Sequence, residues 1–268
     1  MCQTCGCSIT PGNGHLLQEG GALALTADGA ASIEVLTALL DANNHQAVHN
    51  REHFDRHGVL AINLMSSPGS GKTSLLEATI DVIGKEFNLA VIEGDLETEN
   101  DATRIRAKGV PAVQITTGQA CHLDAHMVHD ALHLLDLDQV DILFIENVGN
   151  LVCPASFDLG HHANVTLLSV TEGDDKPAKY PIMFRAADLV LLSKSDLLAV
   201  IDDFDLDKAE HYVRRLANSA PVLPISSRHS STLEPWIEWL KYMSAQRCAG
   251  RTLVPKIAPD GASLHIGS

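Results

Sequence analysis

The apolar run VLAINLM at 59–65 passes directly into Ser66-Ser67-Pro68-Gly69-Ser70-Gly71-Lys72-Thr73, and a helical pattern continues over 72–84. A strand, a glycine-rich turn and a helix opening on Lys-Thr make the setting of a phosphate loop. The pattern G-x-x-x-x-G-K-[ST] is met except at its first position, where Ser66 stands. Six further apolar runs, at 89–94, 112–116, 141–146, 164–170, 188–193 and 221–226, read as strands, and 121–135, 205–218 and 231–244 read as helices. Apolar strands alternating with helices predict an α/β fold, a mostly parallel sheet covered by helices on both faces.

The chain divides by composition. Residues 1–32 hold a cysteine motif and a Gly/Ala/Thr-rich tether. Residues 33–57 suggest a His-bearing linking helix, 58–248 the phosphate-loop domain, and 249–268 a tail. Acids outnumber bases, 34 Asp+Glu against 19 Lys+Arg, for a net charge of −15. Such a surface argues against nucleic acid, whose binding depends on neutralising phosphates. No stretch approaches the roughly 18 apolar residues of a membrane span, and the N-terminus lacks the pattern of a secretory signal. A cytoplasmic location without membrane contact is expected. Clustered cysteines in such a chain suggest metal or redox chemistry rather than a disulfide framework.

The loop dictates what must surround it. Backbone N–H groups of Ser67, Pro68-flanked Gly69, Ser70, Gly71, Lys72, Thr73 and Ser74 would cradle phosphate oxygens at the positive end of a helix. Lys72 would neutralise the β- and γ-phosphates, and the Thr73 hydroxyl would bind Mg²⁺. Two strand ends supply carboxylates for that ion: Asp95 of Glu93-Gly94-Asp95, and Glu146 of Glu146-Asn147-Val148-Gly149, whose Gly149 N–H could sense the γ-phosphate. Lys72, Thr73, Asp95 and Glu146 form the expected catalytic set. Ser193-Lys194-Ser195-Asp196 looks like the guanine-reading Asn-Lys-x-Asp element with Ser for Asn. Asp196 can accept the N1 and N2 hydrogens of guanine, Lys194 can lie along the base, and Ser226 ends the next strand beside them. GTP and GDP are therefore expected, with ATP or relaxed selectivity as the alternative, because Ser193 is too short for every contact of an Asn.

Two cysteine groups suit soft or borderline ions. Cys2-Gln3-Thr4-Cys5-Gly6-Cys7 brings three thiols to one end of the chain, and Cys121-His122 with Cys153 offers two sulfurs and one nitrogen. Cys121 and His122 are expected to open a helix beyond the third strand. Three donors leave a tetrahedral site one short, which a symmetric dimer could complete; buried structural cysteine is the alternative. His45, His49, His53 and His57 repeat every four residues, and His122, His126, His129 and His133 nearly do. Each series would share a helix face, as a solvated polar surface or as a weak nickel or zinc buffer. His161-His162 suggests an exposed loop.

Taken together, these residues resemble the hydrogenase-maturation nickel GTPase family, HypB, over nearly all of 33–247 and the N-terminal cysteines. The specific elements are Cys-x-x-Cys-Gly-Cys at 2–7, Ser-Ser-Pro-Gly-Ser-Gly-Lys-Thr at 66–73 and Glu-Gly-Asp at 93–95. Cys-His-Leu-Asp at 121–124, Glu-Asn-Val-Gly-Asn-Leu-Val-Cys-Pro-Ala at 146–155 and Ser-Val-Thr-Glu-Gly at 169–173 complete them. The resemblance implies a P-loop NTPase of the SIMIBI GTPase type; with no catalytic Gln or arginine finger identifiable in the sequence, slow intrinsic hydrolysis is expected. The resemblance also implies a tight Ni²⁺ site at Cys2, Cys5 and Cys7 and a weaker Ni²⁺ or Zn²⁺ site at Cys121, His122 and Cys153, at a GTP-dependent homodimer interface. The implied partners are a hydrogenase maturation accessory protein and the large subunit of [NiFe]-hydrogenase, which would receive the nickel. Ser66 is usual for that family; Ser193 departs from it. A nickel or zinc storage protein with a weakened GTPase switch is the alternative, and it would carry many ions per chain rather than one or two.

Overall fold

The computed structural model describes residues 30–95, 99–118 and 120–255, with side chains from residue 40 onward. Cys2, Cys5 and Cys7 lie outside the described residues, as does most of the expected tail. The elements run α1 (Ala30–His57), β1 (Leu60–Ser66), α2 (Lys72–Ile83), β2 (Leu89–Asp95), α3 (Asn100–Ala107), β3 (Ala112–Thr116), α4 (Ala125–Leu132) and β4 (Ile142–Glu146). They continue with β5 (Ala163–Ser169), α5 (Lys176–Lys179), α6 (Pro181–Ala186), β6 (Leu189–Ser193), α7 (Leu206–Arg215), β7 (Val222–Pro224) and α8 (Glu234–Cys248).

Among the described residues the seven strands form one parallel sheet in the order β3-β2-β4-β1-β5-β6-β7. β1 is buried along its whole length because both of its faces are covered. Alternate residues feed opposite layers. Leu60, Ile62 and Leu64 pack with Leu75, Leu76, Trp236 and Leu240 of α2 and α8, whereas Ala61, Leu143 and Ile145 pack with Phe54, Val128 and Leu132 of α1 and α4. Trp236, fully buried, satisfies its indole N–H on Thr79 Oγ1 at 2.9 Å. The chain crosses over β1 between β4 and β5, so the carboxyl ends of β1 and β4 border a topological switch point, the usual position of a ligand crevice in such sheets. No helix of the described residues is long and apolar enough to cross a membrane.

Helix α1 is more than a link. Ala47, Asn50 and Phe54 are fully buried, and two asparagines clamp α1 to the start of α4. Asn43 Oδ1 accepts from Ala125 N at 2.9 Å, and Asn50 Nδ2 donates to Ala125 O at 2.7 Å and Leu159 O at 3.1 Å. Two expectations need correction. Cys121 and His122 precede α4 rather than opening it, because the Asp124 carboxylate accepts from Met127 N at 2.8 Å and caps the helix there. His161 and His162 are buried, each about 1% exposed. His162 Nδ1 accepts from Ala61 N at 2.9 Å, so its Nε2–H faces Asp55 Oδ1 at 3.2 Å.

Candidate nucleotide and metal site

The phosphate loop is the turn between β1 and α2. Gly71 caps α2 at φ +99°, a conformation that is cheap only for glycine. Ser66 is buried at the hub of the loop. Its Oγ accepts from Lys72 Nζ at 3.0 Å and from the Ser70 hydroxyl, and it donates to Ser67 O at 2.7 Å. The side chain that departs from the general loop pattern thus ties the loop to its lysine.

Carboxylates meet this loop from the neighbouring strands. The Thr73 hydroxyl donates to Glu146 Oε1 at 2.9 Å, and Lys72 Nζ lies 4.0 Å from the same oxygen. Glu93 of β2 stands in register beside Glu146 of β4, and Glu93, Asp101 and Glu146 bring oxygens within 4.8 Å of one another. Burial, and then the charge of Glu146, pushes the Glu93 carboxyl up to about 11. Burial also raises Glu146, against the pull of Lys72. One oxygen each of Glu93 and Glu146 and the Ser67 hydroxyl are buried without a hydrogen-bond partner. Orphaned acceptors in an acidic pocket fit a hard divalent cation such as Mg²⁺. Glu93 and Asp101 were missed in favour of Asp95, which ends β2 and is not one of the three. Glu93 was legible as a strand-end acid. Asp101 was not, because α3 is only eight residues long and mostly polar.

A cleft of about 400 Å³, a size usual for small-molecule sites, opens beside the loop. Ser70, Gly71, Ser74, Lys194, Asp196 and Ser226 line it. Ser193 Oγ donates to Ser70 O at 2.6 Å, and Lys194 Nζ donates to Gly69 O at 2.7 Å. The short Ser193 therefore reaches the phosphate loop directly. Ser226 Oγ donates to Asp196 Oδ1 at 2.7 Å and holds that carboxyl below the usual carboxylate range, ready to accept.

Cys121, His122 and Cys153 converge at the other side of β4. Cys121 Sγ is 3.1 Å from Cys153 Sγ and 3.8 Å from His122 Nδ1. The His122 ring is buried and stacks on Phe157, centroids 4.0 Å apart, and burial depresses its pKa to about 4, so the imidazole is neutral. Burial and the neighbouring Cys153 push the Cys121 thiol up to about 12. Two sulfurs and a neutral nitrogen in contact suit Ni²⁺ or Zn²⁺ once the thiols are deprotonated.

The segment after β4 joins the two centres. A Cβ on Gly149 would lie 2.8 Å from Pro68 Cα and 2.9 Å from Pro68 N, so only glycine lets this backbone rest on the phosphate loop. Asn150 N donates to Ser66 O at 2.8 Å, and Asn150 Nδ2 reaches Cys121 O at 3.3 Å. Asn147 N donates to Leu64 O at 3.0 Å, while Asn147 Oδ1 accepts from Leu123 N at 3.1 Å.

The histidine series splits. His122 leaves its expected partners for Phe157, whereas His49 and His53 of α1 meet His129 of α4. Burial and neighbouring imidazoles lower the pKa values of His53 and His129.

The family described as the CobW/HypB/UreG nucleotide-binding domain matches residues 60–224. The hydrogenase maturation factor HypB of Azotobacter vinelandii is 53% identical over 213 residues, 80% of this chain and 70% of that protein. The chain belongs to the HypB family. The HypB of Escherichia coli K12 is 51% identical over 217 residues, 81% of this chain and 73% of its own length. Among solved structures, HypB from Helicobacter pylori in complex with nickel has a TM-score of 0.74 at 45% identity, covering 76% of this chain and 96% of that one. HypB from Archaeoglobus fulgidus has a TM-score of 0.71 at 38% identity, covering 76% and 100%. With its parallel sheet and phosphate loop, the chain has the P-loop GTPase fold of its family.

Proposed function

We propose that this HypB-family chain is a slow GTPase that carries Ni²⁺ and delivers it to the large subunit of [NiFe]-hydrogenase during maturation. The observation that carries the reading is the Asn147–Asn150 segment. One stretch of backbone rests on the phosphate loop through Gly149 and holds the Cys121 loop through Asn150. The nickel complex of the H. pylori relative supports Ni²⁺ as the cargo.

In this mechanism Ser67 to Ser74 cradle the phosphates, and the Lys72 ammonium faces the charge that builds on the transferring phosphoryl group. Thr73 and Glu146, with Asp95 and the acids Glu93 and Asp101, would hold Mg²⁺. That ion, when bound, would neutralise negative charge on the phosphates. Asp196 and Ser226 read the guanine edge, and Lys194 backs it. Cys121, His122 and Cys153 take Ni²⁺, or Zn²⁺ in its place, and a second copy of the chain completes the site in a GTP-dependent dimer. Cys2, Cys5 and Cys7 form a separate nickel site. Hydrolysis removes the γ-phosphate from the 146–153 segment, loosens the dimer and frees the ion for an accessory protein or the hydrogenase.

The test is nickel titration followed through thiolate-to-nickel absorbance, with Cys2, Cys5, Cys7 and Cys248 replaced by Ala so that only the interior site reports. Loading GDP or a non-hydrolysable GTP analogue should change nickel affinity by about fivefold or more, the usual scale of coupling between sites. Cys153→Ala should abolish the signal. Equal affinity with both nucleotides defeats the proposal.

A further inference from the structure

We propose that α1 and α4 together build another divalent-cation site, with His49, His53 and His129 as ligands and His133 beside them. It suits a borderline transition ion such as Ni²⁺ or Zn²⁺, and it is independent of the thiol sites.

The geometry begins with helical spacing. His49 and His53 lie one turn apart on α1, and His129 and His133 one turn apart on the α4 side, so each pair shares a face. The two faces meet. Ring nitrogens of His49, His53 and His129 all come within 4.8 Å of one another. The ring centroids are 4.7 Å apart for His49 and His53, 5.1 Å for His49 and His129, and 5.7 Å for His53 and His129. His133 Nε2 stands 3.2 Å from His129 Nε2. Two nitrogens bound to one tetrahedral ion at ~2.0–2.1 Å would be separated by about 3.3 Å, close to that spacing.

The surroundings prepare one ligand atom. Asn50 is fully buried, and its amide nitrogen is committed to the carbonyls of Ala125 and Leu159, so its Oδ1 can only accept. That oxygen lies 3.1 Å from His129 Nδ1. The hydrogen of His129 therefore sits on Nδ1, and Nε2 presents a lone pair toward the cluster. An amide holding the far nitrogen of an imidazole is the outer-shell arrangement that orients metal-binding histidines. A solvated polar face would need no such fixing.

A cleft of about 290 Å³ adjoins the cluster, lined by His53, His57, His129, His133, Asp136 and Asp138. Asp136 and Asp138 add negative charge near a site built of imidazoles, and Asp138 Oδ1 already holds His57 Nδ1 at 2.6 Å. Neutral imidazoles beside acids favour late first-row divalent ions over Mg²⁺ or Ca²⁺, which take oxygen ligands. The ion would bridge α1, which follows the N-terminal cysteines in sequence, and α4, which follows Cys121 and His122.

The test uses the full chain with Cys2, Cys5, Cys7, Cys121, Cys153 and the exposed Cys248 all changed to Ala, and Ni²⁺ or Zn²⁺ alone as probe. Equilibrium dialysis should find one ion retained per chain, with no thiolate-to-nickel absorbance. Because the ion joins two helices, it should raise the thermal midpoint. His53→Ala with His129→Ala should abolish both retention and the midpoint shift. His49 is exposed, so His49→Ala keeps the fold and should weaken binding by about tenfold or more. A thiol-free chain that retains no ion overturns the proposal, as does retention that is unchanged in the histidine variants.

Discussion

The acid cluster and the thiol–imidazole cluster stand on the two sides of the same strand end, yet they are built for different tenancies. Glu93 and Glu146 are 2% and 3% exposed, each has one buried oxygen without a partner, and the other oxygen of Glu146 meets Lys72 and Thr73 of the phosphate loop. Cys121 and Cys153 are only half-buried, and one wall, His122 on Phe157, is rigid. Hard oxygens in a closed pocket suit an ion that accompanies each nucleotide. Soft sulfurs at an open edge suit an ion that must leave. The 147–150 segment is bonded to both sides, by its backbone to β1 and the phosphate loop and by the Asn147 and Asn150 side chains to the Cys121–Leu123 turn, which is the basis of the proposed coupling.

The largest expected effect separates the two centres. Lys72→Ala removes the charge facing the phosphates and should lower GTP hydrolysis by about 100-fold or more. Nickel held by Cys2, Cys5 and Cys7 should be unaffected in dialysis, and its loss would mean the modules are not separable.

A smaller change should break the comparison by joining the centres. Gly149→Ala drives a methyl group against Pro68 backbone, so the loop or the segment must move. The strain should cost roughly 1–3 kcal/mol in urea unfolding. Nucleotide affinity and nickel affinity at Cys121 and Cys153 should fall together. A fall in only one of them would show that the segment is not shared.

The acid pocket can be sharpened through pH. Glu93 keeps its proton in the folded chain up to about 11, whereas the unfolded chain releases it near the ordinary carboxylate value. Its contribution to stability is therefore full below the unfolded pKa and is lost as pH rises toward 11. Glu93→Gln, which mimics the protonated acid, should make the metal-free protein more resistant to urea at pH 8. The gain should shrink toward pH 5, and protection by added Mg²⁺ should weaken.

The last effect, confined to acid pH, lies in the buried His161–His162 pair. Burial depresses the pKa values of His161 and His162 to about 4. Each stays neutral when folded but protonates when unfolded below its ordinary value of 6.5. Stability should fall as pH drops from 6.5 toward 4, by about 1.4 kcal/mol per pH unit for each group. Urea midpoints across that range measure it, and His162→Gln should flatten the slope.

Much of the fold was readable because its signals are local. Each expected strand lies within a residue or two of an observed one, since apolar runs of five to seven residues bounded by turn residues are too short for helices and suit doubly covered strands. α3, α5 and α6 escaped notice. They are short, and tertiary packing rather than periodicity holds them. With α3 went Asp101, and the choice of Asp95 over Glu93 followed from treating the strand end as a motif rather than as a register.

By itself the sequence determined the phosphate loop, the order of the strands and the longer helices. Each depends on residue identity at fixed spacing along the chain. Only the tertiary structure decided that Glu93 stands beside Glu146, that Gly149 rests on Pro68, and that histidines from two helices 76 residues apart at His53 and His129 share one cluster. Those outcomes come from which strands neighbour each other and which helix faces meet. Side-chain burial over the whole domain sets them, and no local window contains that information.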